Sequence, residues 1–434
     1  MTIRVRNIAL FGAFAAIMAM VAVFQSPPLA LTILNMGLIS AIMALGVNIQ
    51  WGYAGLFNVG IMGFTALGGL AVVLVSMPPV PEAWAAGALG VFLGTAFGVG
   101  AIALGIRLWK RMAPGKARVA ALIGVLVAGF GLNRYFFVPA AETIEAIDSS
   151  TTGYLGGLGL PVLLSWPVGG VFAAGAAWVV GKVALGLRSD YLAIATLGIS
   201  EIIVSFLKNE DFISRGVKNV VGIPAPVPRP VDFRSEGWVR DLAGTLGRGV
   251  NEMGQVMTML SYTLLFVAVL GILIWLSEKA LNSPWGRMMR AIRDNETAAE
   301  AMGKDVTHRH LIIFVLGSAV CGLAGAMMVT MDGQLTPGTY EPLRYTFLIW
   351  VMVIVGGSGN NWGAVLGGFV VWFLWVQVEP AGRWVMEIMT SGMAEDSALR
   401  AHLLSNVAHT RLLTMGLAML LVMRFSPRGL IPER

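Results

Sequence analysis

SPWGRMMRAIRDNETAAEAMGKDVTHRHLIIF, residues 283–314, is the most densely charged stretch of a chain that is otherwise nearly all apolar. Long apolar runs flank it on both sides, so it reads as a loop on one side of a membrane. Its interior is amphipathic. Trp285, Met288, Met289, Ile292, Ala299 and Met302 recur at three-to-four spacing, with Arg287, Arg290, Arg293 and Asp294 between them. Ser283 can cap a helix whose first turn holds Pro284. Asp294 or Asn295 can cap a second short helix over 296–302, Gly303 can terminate it, and Thr307 can cap the span that follows. A short helix laid across the face of a membrane protein is a docking surface. A plain loop that orients the chain by its charge explains the arginines, but it does not require the alanine pair or the terminal glycine.

The rest of the composition supports that setting. The chain has 434 residues, 56% hydrophobic and 12% charged, with a mean hydropathy of +0.76. A soluble domain carries about 25% charged residues, so this chain has too few polar groups to cover a water-facing surface. The class is an all-α, polytopic integral membrane protein, one transmembrane domain over 1–434 with about 10–12 spans. Its net charge of +6 is gathered in a few short loops, which suits membrane topology and gives no reason to invoke nucleic acid. The single cysteine, Cys321, excludes a disulfide framework, and no Cys/His spacing suits a metal. His308, His310, His402 and His409 read as residues of loops and span ends.

Apolar spans are expected at 7–24, 29–50, 57–76, 84–106, 118–138, 163–186, 190–207, 258–277, 310–331, 345–357, 362–378 and 408–424. The first has the basic start of a signal peptide, but its run is long for one and SPP follows it, so it reads as an uncleaved span. The two spans around GGSGNNWG (356–363) look short. They suit either two crossings or a re-entrant hairpin, and the motif itself suits a tight turn with positive φ.

Arg4 and Arg6, the bases of 107–116, Lys182 and Arg188, the basic set of 279–309, and Arg424, Arg428 and Arg434 can all lie in the cytoplasm if both termini are inside and the crossings are even in number. The long loop 209–257 then lies outside. With Pro224, Pro226, Pro228 and Pro230 it reads as an ordered loop or short helices, where a partner protein can land or which merely connects. Gly90, Gly94 and Gly98 form a small-residue stripe that argues close helix packing rather than chemistry.

Few polar residues interrupt the spans. Asn48, Gly52 and Gly55 break the apolar pattern between the second and third. Two readings stand, a broken helix that exposes backbone groups to a transport path or a plain cytoplasmic turn. Glu201 lies inside a span, with Thr196 and Gly198 ahead of it. An acid there can attract a substrate ammonium, or it can be tied structurally to a neighbour or an interface. No G-x-x-x-x-G-K-[ST] loop and no nucleophile–base pair is present, so neither ATP hydrolysis nor chemistry on a substrate is expected of this chain.

ETAAEAMG (296–303) resembles the EAA-type loop of bacterial ABC importer permeases. LRSDYLAIATLGISEII (187–203), the long stretch 286–328, VIVGGSGNNWGAVLGG (353–368), FSPRGLIPE (425–433) and NIQWGYAGLFNVGIMGF (48–64) together resemble the branched-chain amino acid ABC transporter permease family, on its LivM-type side. The resemblance implies an importer permease architecture in a bacterial inner membrane, importing a branched-chain or similar amino acid by alternating access. It implies a LivH-type second permease, two cytoplasmic ATPases that bind the ATP, and a periplasmic substrate-binding protein. It makes 283–309 the cytoplasmic coupling loop, with Arg290, Arg293, Glu296, Ala298, Ala299 and Gly303 as its ATPase-coupling residues, the apolar stripe inserted into the ATPase groove and the basic residues meeting inner-leaflet phosphates or acids of the ATPase. The early block lacks the His and GAY usual to the family, and an extra segment, 107–159, precedes the 187–203 block. Urea and short-amide permeases share the superfamily and remain an alternative. A stand-alone secondary carrier would need ion-coupling acids at mid-membrane, where the spans offer little beyond Glu201. A membrane-embedded enzyme would need acid, His or Cys clusters that the spans do not carry.

Overall fold

The computed structural model describes residues 3–148, 152–394 and 397–433. Arg434 and the side chain of Arg4, counted among the basic flanks, lie outside that description. The helices are α1 (Ile3–Phe24), α2 (Pro27–Val47), α3 (Ile61–Ser76), α4 (Pro81–Arg111), α5 (Lys116–Ala146), α6 (Val162–Ala184) and α7 (Ser189–Asn209). Three short ones follow, α8 (Asp211–Ser214), α9 (Pro230–Ser235) and α10 (Gly237–Thr245). Then come α11 (Val250–Leu281), α12 (Pro284–Asp294), α13 (Glu296–Ala301), α14 (Val306–Asp332), α15 (Pro342–Gly356), α16 (Asn361–Met389), α17 (Ala398–Ser405) and α18 (Thr410–Phe425). The region 209–249 therefore holds short helices, one of the two forms expected, while 250–257, expected to be loop, already belongs to α11.

Among the described residues, ten helices are long and apolar enough to cross a bilayer, and α3 and α15 are shorter apolar helices. At 1.5 Å per residue, 16- and 15-residue helices give about 24 and 22 Å against a core of about 30 Å. Their ends nonetheless reach opposite faces. After α3, Val80 N–H donates to the Leu155 carbonyl (3.1 Å), and Leu155 N–H donates to Phe212 beyond α7 (2.9 Å). On the same side Val220–Val221 pairs antiparallel with Gln334–Leu335, between α14 and α15. At the other end of α15, Ile431 N–H donates to the Gly356 carbonyl (2.8 Å), beside the basic segment α12. Asn7 of α1 lines a cavity there with Arg290 and Glu433, so both described chain ends share this basic face, as an even number of crossings requires. The pair around 356–363 is thus two separate helices, α15 and α16, whose shared turn lies on the α12 side. The second of them is not short: α16 has 29 residues. The turn between them has the positive φ expected, +115° at Gly357 and +80° at Gly359.

The core gathers on α2 and α14, the two most enclosed spans, where apolar side chains run around the whole circumference. Lipid gives helices no hydrophobic reason to associate, so close packing has to supply the contact. Gly68 of α3 meets Gly322 of α14, and a Cβ on Gly68 would fall 1.8 Å from the Gly322 carbonyl oxygen. The α4–α5 hairpin stands apart from this core. Gly90, Gly94 and Gly98 let α4 lie against Phe136, Phe137, Asn133 and Ala140 of α5, so the stripe does pack helices. Asn133 Nδ2 donates to the Gly94 carbonyl (2.8 Å) across that seam. The hairpin joins the rest through Ala83, Ala141, Ile144 and Phe212, on the side away from α12.

Candidate coupling site and buried polar core

The charged loop folds as two helices. In α12 the apolar stripe turns inward. Met289 and Ile292 are 0% and 1% exposed, packed with Leu56, Phe64, Leu192 and Phe314 of the same chain. The expectation that this stripe enters a partner's groove is therefore corrected: its own chain already fills that role. The outward element is α13. Asn295 caps it by accepting from Ala298 N–H (3.0 Å), and Gly303 ends it at φ +75°, as read from sequence. Glu296, Ala298 and Gly303 are exposed, Ala299 is half-buried, and Met302 beside them is 79% exposed. Two other caps differ from expectation. Ser283 Oγ donates back to the Ala280 carbonyl (2.6 Å) and caps nothing. Asp305, not Thr307, caps α14, accepting from His308 N–H (2.9 Å).

Arg290 and Arg293 are both half-buried. Arg290 lines a polar cavity of about 250 Å³ with Tyr53, Glu278, Asn361 and Glu433. Arg293 Nη1 donates to both oxygens of Glu433 (3.0 and 2.9 Å) and to the Gly52 carbonyl. Burial opposes its charge, but the carboxylates of Glu433 and Asp294 outweigh that and raise the guanidinium pKa. Arg293 thus has partners inside the chain, Glu433 and the Gly52 carbonyl.

Gly52 belongs to the break that the sequence marked. After Val47, α2 widens into a π-helical turn, Asn48–Gly52, and the chain then runs non-helically to Gly60 before α3 begins. Gly55 sits at φ +70°, a conformation that suits glycine. Broken backbone inside a membrane protein needs internal partners. Side chains supply them here. Asn48 Oδ1 accepts from Gly359 N–H (2.8 Å), and its Nδ2 donates to Asn361 Oδ1 (3.2 Å). Gln50 Nε2 donates to the Phe314 carbonyl (2.9 Å) and Ser318 Oγ (3.0 Å), while its Oε1 accepts from Asn58 Nδ2 (2.9 Å). Trp350 Nε1 donates to the Asn58 carbonyl (3.1 Å), and the Trp350 ring sits between Trp51 (5.2 Å) and Phe57 (4.7 Å).

Thr196 and Ser200 of α7 finish the job for α3. Thr196 Oγ1 accepts from Val59 N–H (3.1 Å) and Ser200 Oγ from Gly63 N–H (2.8 Å), so orphan donors at the start of α3 are capped from another helix. Gly198 and Glu201 lie elsewhere on α7, both exposed, and Glu201 makes no hydrogen bond or ion pair among the described residues. The structure therefore joins Asn48, Gly52, Gly55 and Thr196 in one region and leaves Gly198 and Glu201 outside it. Sequence reading missed Gln50, Asn58, Ser200, Glu278 and Asn361. Each is polar in or beside an apolar run, a signal that was present but shared with many turn residues.

A family described as branched-chain amino acid transport system / permease component matches residues 146–423. The chain belongs to this family. The match begins at the end of α5, so the α4–α5 hairpin precedes it, as do the early glycine-rich block and the π turn. The high-affinity branched-chain amino acid transport system permease protein LivM of Escherichia coli (strain K12) is 26% identical over 318 residues, 72% of this chain and 65% of that protein. This chain thus covers less than two thirds of that relative. A probable LivM from Methanocaldococcus jannaschii is 26% identical over 341 residues, 74% of this chain and 85% of its own length. The same organism's probable LivH is 31% identical over 106 residues, 24% of this chain and 32% of its own length. The likeness is therefore LivM-type, and these relatives are permeases rather than enzymes. No solved structure matches.

Proposed function

We propose that this chain is one of two membrane-spanning subunits of an ATP-driven importer for branched-chain or related amino acids, working by alternating access in a bacterial inner membrane. The observation that carries the reading is α13. It is a capped, glycine-terminated helix with no buried residue, presented on the basic face and continuous with α12, whose Arg293 grips the π turn. A partner that moves α13 moves a piece of the transmembrane core. The basic face is cytoplasmic on this reading, and with it the described ends of the chain. Of two cytoplasmic ATPases that bind the ATP, one docks on α13 and the other on the LivH-type permease that completes the membrane pair, and a periplasmic binding protein delivers substrate to the face formed by 209–257.

The coupled system tests this. The chain co-expressed with a LivH-type permease and ATPases co-purifies with them and, in liposomes, takes up branched-chain amino acids in response to ATP and binding protein. A panel including urea and short amides sets the substrate class. Ion-driven uptake by the purified chain alone would overturn the reading.

A further inference from the structure

The segment after α18 is docked rather than trailing. Ser426 Oγ and Gly429 close a small turn (2.8 Å), and Leu430 and Ile431 N–H groups donate to the Val355 and Gly356 carbonyls (2.9 and 2.8 Å). Asn360 Nδ2 donates to the Pro432 carbonyl (3.1 Å), and Ile431 is fully buried. This lays the segment into the turn between α15 and α16 and aims Glu433 at Arg293. Arg293 also holds the Gly52 carbonyl at the end of the π turn, and Asn48, at its start, holds Gly359 of the same α15–α16 turn. The contacts close a ring: α12, the 426–433 segment, the α15–α16 turn, the π turn, and back to α12.

We propose that Arg293 and Glu433 are positioning residues that carry motion of the coupling helices into the π turn, with the 426–433 segment acting as the strap that keeps the two in step. The proposal rests on the reading of α13 as the ATPase-facing helix. Its physical content is geometric. Both contacts come from one guanidinium nitrogen, Nη1, which brings the Glu433 carboxylate and the Gly52 carbonyl together at one point; a lysine ammonium keeps the charge and part of that pairing on a more flexible stem. The side chains of Arg293 and Glu433 are 24% and 31% exposed, and the segments they join are far apart in sequence. α12 cannot move relative to the π turn unless this tie moves with it or breaks.

The test uses the whole transporter, with its second permease, ATPases and binding protein, reconstituted in liposomes. Substrate molecules imported per ATP hydrolysed are measured for wild type, Glu433→Gln and Arg293→Lys. The expected result for Glu433→Gln is at least a fivefold fall in that ratio, with binding-protein-stimulated hydrolysis within twofold of wild type. Arg293→Lys falls less. A merely structural role would lower hydrolysis and import together, and that result overturns the proposal, as does an unchanged ratio. A second arm stays informative if the charge variants assemble poorly. The one native cysteine, Cys321, is buried, so Arg293→Cys with Glu433→Cys can be bridged selectively by a short bifunctional maleimide. A tie that travels as a unit regains coupling when bridged; loss of import on bridging an intact complex overturns it. A wild-type chain that couples to no ATPase refutes the functional reading as well, whereas normal wild-type coupling with an unaffected Glu433→Gln refutes only the strap.

Discussion

Gln50→Leu should be one of the most damaging volume-conserving substitutions in the chain. Gln50 is 1% exposed and its amide makes three hydrogen bonds, to the Phe314 carbonyl, Ser318 Oγ and Asn58 Nδ2. Inside membrane proteins such bonds average about 0.6 kcal/mol each, which gives about 2 kcal/mol for the three. The substitution also strands the Asn58 amide, whose Nδ2 has Gln50 as its acceptor, and a buried donor left without a partner costs about 1 kcal/mol or more. Leucine is close to glutamine in volume, so the cavity term stays small. The sum is about 3 kcal/mol, roughly a hundredfold in a folding equilibrium. Denaturation of the detergent-solubilised chain by a stronger detergent measures it. The double variant Gln50→Leu with Asn58→Leu isolates the shared bond: it should cost about 1 kcal/mol less than the sum of the single variants, outside the 0.3–0.5 kcal/mol scatter of independent sites. A single-variant cost under about 0.5 kcal/mol, or strict additivity, would refute the claim that this network holds the broken α2–α3 connection together.

Three further outcomes are expected. Ala298→Arg and Met302→Asp, both exposed on the outward side of the coupling segment, should abolish ATPase co-purification and import while leaving the chain inserted and as stable as wild type. Glu201→Gln should shift the stability of the isolated chain by less than about 0.5 kcal/mol, the range for exposed positions, and a larger loss in the same denaturation assay would show the carboxylate to be tied inside. Gly94→Leu should pry α4 from α5, because a Cβ there already falls 2.7 Å from the Phe137 Cβ; overpacking of this kind costs about 1–3 kcal/mol. Proteolysis or cysteine labelling should show the hairpin loosened while ATPase binding persists, because the hairpin joins the core on the far side from α12.

Much of this was legible in the residues, for reasons that vary with the element. Spans are legible because a bilayer demands long apolar helices, and twelve apolar runs cannot hide among 434 residues. The close packing of Gly90, Gly94 and Gly98 was legible because small residues at four-residue spacing have one face and one use. The cap at Asn295 and the stop at Gly303 were legible because they are local, decided within a turn of helix. What was not legible is direction. Periodicity in 285–292 shows that α12 has an apolar stripe, but not that Phe64 and Phe314, far away in sequence, are what it meets. Likewise Glu201 reads as an intramembrane acid from its position, while its facing outward follows from how Thr196 and Ser200 turn α7 toward α3. The ion pair from Arg293 to Glu433 joins residues on segments whose neighbourhood only the assembled fold creates. Arg293 was picked out for its loop, while its partner within the chain, Glu433, was not.

The central claim is that force enters this chain from an ATPase through α13. Its most direct measurement is ATP-dependent uptake of a branched-chain amino acid into liposomes carrying the full transporter, wild type beside Ala298→Arg, at an exposed position of α13. The account predicts uptake that needs ATP and binding protein and is lost in the variant, whose chain remains inserted. Uptake that persists in the variant at wild-type rate, or that proceeds without ATPases on an ion gradient, would contradict it.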